Sequence, residues 1–149
     1  MPRFKFRLST LLRVREATRD DRRGQLAEAY RIDAYLVAQR EALVDEAATE
    51  KRRYGESLGG AIDVDRLVAM HRYELVLRSE IHSLDEQRRN VAAEIERRRL
   101  ALVAAETEVK VLEKLREKQH ERQRAAEALA ELKVLDEVAG RTAGKEAHA

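Results

Sequence analysis

The chain has 149 residues, 39% of them charged and 4% aromatic, with 30 Lys and Arg against 28 Asp and Glu, one Pro and no Cys. That balance excludes a thick globular interior and disfavours a compact enzyme; the hydrophobic residues are mostly Ala, Leu and Val, which suit narrow helix seams. Without cysteine there is no disulfide and no thiolate metal site, which fits a reducing compartment and makes the cytoplasm the expected location.

The N-terminal stretch Met1-Pro-Arg-Phe-Lys-Phe-Arg-Leu8 interleaves apolar residues with cations. No apolar run approaches the ~20 residues that span a bilayer, so neither a signal peptide nor a membrane anchor is expected. The only proline is Pro2, and five of the six glycines sit at 55, 59, 60, 140 and 144. These breakers divide the chain into two helices and one turn.

The first helix is predicted from about Leu8 to about Tyr54. Its apolar stripe, Ala29, Ile32, Leu36, Leu43 and Ala47, is broken by charged residues, which leaves its register open. Gly24 lies inside it and marks a bend, a close approach or nothing in particular. The connection is predicted over about 55–62. Asp63 is the expected N-cap of the second helix, with Asp65 in its first turn.

From there no breaker intervenes before Gly140, so helix two is predicted over about 63–139 with a flexible tail at 140–149. Leu67, Met70, Glu74, Leu77, Ile81, Leu84, Arg88, Val91, Ile95, Arg98, Leu102, Ala105, Val109 and Leu112 recur in alternating steps of three and four. That heptad seam requires a covering helix. Its polar members, Glu74, Arg88 and Arg98, each call for a counter-charge on the facing helix.

A hairpin centred near Gly60 sets residue i opposite about 120 minus i, bringing Leu36 toward Leu84, Asp33 toward Arg88 and Asp21 toward Arg98. The fold class expected is therefore all-α: a single antiparallel two-helix coiled-coil hairpin over 1–149, with a longer second helix. Beyond about residue 112 helix two has no expected internal partner. Leu115, Ala126, Leu129, Leu132 and Leu135 nevertheless keep it apolar there, a surface for another molecule.

Charge is uneven along the chain. Residues 1–24 hold eight cations and three acids, and residues 110–124 hold six and three, so both arms of the open end are basic and the remainder is acidic. Catalytic, metal and cofactor sites are not expected. His71, His82, His120 and His148 lack partners at ligand spacing, and Gly59-Gly60 lacks the lysine of a phosphate loop. Arg97-Arg98-Arg99 and Arg22-Arg23 are interleaved with acids, and aromatics for base stacking are nearly absent, so nucleic-acid binding is the weaker reading. Tyr54 and Tyr73 flank the turn and, with Leu77, form a candidate contact patch or simply cap the seam.

Two terminal segments resemble the flagellar export protein FliJ family. The first is Phe4-Lys-Phe-Arg-Leu8-Ser-Thr-Leu11-Leu12-Arg-Val-Arg15-Glu16, followed by Leu26-Ala-Glu-Ala-Tyr30. The second is Leu112-Glu-Lys-Leu-Arg-Glu-Lys-Gln119, followed by Leu135-Asp-Glu-Val-Ala139. The resemblance implies a non-enzymatic coiled-coil component of flagellar type III export, similar to the central stalk of rotary ATPases. Its place would be the cytoplasmic face of the flagellar basal body. Such a protein inserts its terminal end into the export ATPase ring and stimulates it, and it contacts the membrane export gate and export chaperones.

By that resemblance, ring contact is expected at Phe4, Phe6, Arg7, Leu8, Leu11, Leu12, Arg13, Arg15, Leu115, Arg116, Gln119, Leu135 and Asp136. Gate or chaperone contact is expected at Tyr54, Tyr73 and Leu77. The alternatives are a nucleic-acid-binding coiled coil and a self-assembling scaffold.

Overall fold

The computed structural model describes residues 3–57, 59 and 63–148. Two long antiparallel helices pack together: α1, Ser9–Ser57, and α2, Val64–Ala147, the second much longer at 84 residues against 49. Of the expected connection, Leu58, Gly60, Ala61 and Ile62 lie outside the described residues. Asp63 caps α2 as its sequence position predicts: its Oδ1 accepts from the amides of Asp65 at 3.1 Å and Arg66 at 3.4 Å. Two of the donors orphaned at a helix start are thereby satisfied.

Both helices outrun their predicted C-terminal ends. In α1 the chain stays helical through Gly55 to Ser57, whose hydroxyl donates to the Tyr54 carbonyl. In α2 it continues past Gly140 and Gly144 to Ala147. A glycine costs a helix only about 1 kcal/mol relative to alanine. Here Ala139, Arg141, Ala143 and Lys145 restore propensity on either side. No described glycine takes the positive φ that would turn it into a cap.

The chain forms two compact units, one of 20–103 and one combining 1–19 with 104–149. In the first, the predicted α2 seam is the packed face. Leu77 and Leu84 are buried, and Met70, Ile81, Val91, Ile95 and Leu102 are half-buried, while Leu67 stays exposed at the seam's end. Against it α1 sets Ala29 and Leu36, both buried, and Leu43 and Ala47, half-buried. Ile32 departs from expectation. It is 44% exposed, and Asp33 takes the seam position. The reason is electrostatic: Arg88 arrives opposite and donates to Asp33 Oδ1 at 3.2 Å.

Arg98 finds its facing counter-charge in Glu28, at 4.0 Å, rather than in Asp21, whereas Glu74 finds none across the seam among the described residues. Arg98 also donates to the Gln25 carbonyl at 2.6 Å and to Glu94 at 2.9 Å, while Asp21 accepts from Gln25. The residue numbers paired across this unit total 119 for Tyr73 with Glu46 but 123 and 126 for Arg98 with Gln25 and Glu28, so at the Arg98 end Asp21 falls at least one turn short. Glu74 pairs along its own helix with Arg78 at 2.8 Å rather than across the seam. A further cross-helix pair, Arg40 to Asp85 at 2.7 Å, does not follow from the seam pattern.

Gly24 marks no close approach, since a Cβ built there meets nothing within 4 Å. Gly24→Ala is therefore expected to stabilise the protein by about 1 kcal/mol, by helix propensity and a less flexible unfolded chain. A thermal melt should show a midpoint higher by about 2–4 °C.

Candidate functional site

In the unit formed by 1–19 and 104–149, residues 3–8 precede α1 as a short arm laid on α2. Phe6 is buried with Leu12, Val109 and Leu112, and Phe4 packs against that cluster. The Phe4 ring meets the His120 ring edge-on, with centroids 4.8 Å apart and planes at 63°. The arm thus extends internal cover along α2 to His120, beyond the limit near residue 112 predicted from the seam. The missed signal was alternation. Phe4, Phe6 and Leu8 alternate with Lys5 and Arg7, the period of an extended segment with one buried face.

This unit holds every residue expected to contact the ring, but not all of them offer surface. Leu12, 4% exposed, and Phe6 are occupied in the internal cluster. Arg15 is half-buried and bonded to Glu108 at 3.1 Å. Phe4 and Gln119 are half-buried. Arg7, Leu8, Leu11, Arg13, Leu115, Arg116, Leu135 and Asp136 are exposed.

Among the described residues past His120, only Gln123 and Glu127 are even half-buried, and they hydrogen-bond each other at 3.1 Å. Leu129, Leu132, Val134, Leu135 and Val138 are all exposed, Leu132 at 57% and Leu135 at 64%. Helices in proteins draw most of their stability from packing an apolar face, and among the described residues this end of α2 has nothing packed on it. Its apolar side chains are an uncovered hydrophobic feature of the unit.

The 20–103 unit carries the second expected surface. Tyr73 and Tyr54 line one shallow groove with Glu50, Arg66 and Met70. An adjoining groove is lined by Ala47, Met70, Tyr73 and Leu77. Among the described residues the two tyrosine rings make no contact with each other. Leu77, at 3% exposed, belongs to the seam and forms a groove floor rather than a docking surface.

The Tyr73 hydroxyl donates to Glu46 Oε1 across the helices. That bond, with lesser contributions from desolvation and the charges of Glu46, Glu50 and Glu80, pushes the phenol up to about 12. A raised folded-state value favours the protonated form, so this stabilising contribution is intact below the ordinary pKa of about 10 and lost as pH climbs through about 12. A phenolate absorbance titration should show one tyrosine ionising in that late step. Tyr73→Phe should remove the step.

Among the described residues no group of three or more His, Asp or Glu side chains is placed to hold a metal. Among them, too, no helix is long and apolar enough to cross a membrane. The decisive comparison is with protein families: the model described as Flagellar FliJ protein matches residues 4–148. The chain belongs to the FliJ family. FliJ proteins are non-catalytic coiled-coil components of flagellar export, which agrees with a helical hairpin carrying exposed apolar and charged surface. The family associates this chain with the flagellar apparatus and its export partners. No curated protein and no solved structure matches the chain.

Proposed function

We propose that this FliJ-family chain acts as a stalk: the unit formed by 1–19 and 104–149 enters the export ATPase ring, promotes its turnover and couples it to the export gate and chaperones. The observation that supports this most directly is the uncovered apolar helix beyond His120, adjoining a basic surface. Arg7, Arg13, Lys110, Lys114, Arg116 and Lys118 are all exposed there. Burial of the leucines would supply most of the affinity, and the cations would orient the approach toward an acidic socket.

Phe6 and Leu12 act indirectly in this reading by holding the arm and α1 against α2. Arg13 is the better electrostatic contact, because Arg15 already serves Glu108. Gate or chaperone contact is assigned to the Tyr54 and Tyr73 grooves, with Leu77 beneath them. The test is to mix the protein with the export ATPase and follow hydrolysis and co-elution over a range of salt. Stimulation with co-elution supports the stalk; unchanged hydrolysis with no complex at any salt would refute it.

A further inference from the structure

Beyond the stalk role, the end of α2 carries a face suited to a second copy of this chain. Continuing the seam of Ala105, Val109 and Leu112 in steps of four and three lands on Arg116, Gln119, Gln123, Ala126, Ala130, Lys133 and Glu137, a mostly polar row. The apolar row runs instead through Ala125, Ala128, Leu132, Leu135 and Ala139, roughly 150° around the helix. Every one of these five is exposed. Because the row turns away from the side that the arm and α1 cover within this unit, no continuation of that internal packing reaches it.

The charges say what does. Residues 114–124 carry five cations and two acids, and residues 127–137 carry four acids and one cation, so the basic block precedes an acidic block of equal and opposite net charge. Such a helix is complementary to itself when reversed. Laid antiparallel about residue 130, Ala128 packs opposite Leu132 of the second copy and Ala125 opposite Leu135, small against large in each layer. In an antiparallel pair the flanking positions of one side face each other, which brings Arg122 to Asp136 of the second copy twice by symmetry. Both side chains are exposed and neither has an ion-pair partner among the described residues. Leu129 meets its own copy on the same flank. Glu131 meets its own copy on the other, the one like-charge contact.

We propose that the free protein pairs with itself, weakly and reversibly, through an antiparallel helix contact over residues 121–139. An overlap of about 27 Å is a small interface, at or below about 1,200 Å², so the expected affinity is micromolar or weaker.

The test uses the full-length protein alone, without the ATPase, so its outcome is independent of the stalk reading. Sedimentation equilibrium should show a monomer–dimer equilibrium. Arg122→Glu alone and Asp136→Arg alone should each weaken it at least tenfold, because each sets like charges together twice. An equimolar mixture of the two variants should dimerise again: the two introduced side chains then face each other with opposite charge, and the unaltered Arg122 of one copy still meets the unaltered Asp136 of the other. Glu131→Gln should tighten the pair several-fold. A strictly monomeric protein up to millimolar concentration, association that survives Leu132→Asp with Leu135→Asp, or a mixture no better than either single variant would each overturn the proposal.

Discussion

Leu36→Ala is expected to destabilise the hairpin by about 2–4 kcal/mol, read as a fall in the urea midpoint with little change in slope. Leu36 is one of the few deeply buried large side chains of the 20–103 unit, along with Leu77 and Leu84. Each removed methylene is worth about 0.8 kcal/mol of burial. The seam has only two helices, so no third layer can shift to close the gap. For a protein whose whole stability is on the order of 10 kcal/mol, that loss is a large fraction. Ile32→Ala is the control. Four residues earlier on the same helix and of similar size, Ile32 is 44% exposed against 6% for Leu36, and its truncation should cost under about 1 kcal/mol. If Ile32 proved the costlier of the two, α1 would have to be rotated relative to the register described here.

That contrast marks where the sequence was legible. The α2 seam could be read residue by residue because eleven of its fourteen members are apolar, and the structure buries or half-buries all of them but Leu67. Asp63 was legible because a carboxylate before a breaker-free run has one obvious use. The register of α1 was not, because its seam admits Asp33 and Arg40, and a pattern search reads those charges as surface. Only the facing residues, Arg88 and Asp85, explain them. Asp33 with Arg88 still fell to simple hairpin arithmetic. Arg40 with Asp85 did not, since long side chains reach several residues beyond the ideal opposite position. The arm around Phe4 and Phe6 was missed for a related reason: alternation with cations looked like solvated chain until α2 was placed beside it.

Among the candidate contacts, exposure separates residues that local pattern treats alike. Leu12 and Leu135 both sit in the terminal segments that carry the family resemblance, yet one is core and the other surface. Periodicity cannot make that distinction, because it depends on whether a second segment arrives to cover the side chain. In the 1–19 and 104–149 unit, the arm arrives as far as His120, and among the described residues nothing follows.

The second large effect follows from that uncovered helix. Leu132→Asp with Leu135→Asp is expected to bring stimulation of the export ATPase close to the level without the protein, while circular dichroism and the urea midpoint stay near the parent values. The two side chains are exposed and belong to no buried cluster among the described residues, so replacing them removes apolar surface without opening a cavity. If both leucines enter a dry socket, their loss withdraws about 1.5–3 kcal/mol each and adds the cost of burying two carboxylates. Together these amount to well over a hundredfold in affinity. Arg13→Glu should act more gently. It should weaken binding mainly at low salt and through the association rate, as expected of an exposed charge at an interface rim. The converse pattern, with hydrolysis insensitive to the leucine pair but abolished by Arg13→Glu at all salt concentrations, would assign the ring contact to the basic surface. The apolar end of α2 would then be left to self-pairing alone.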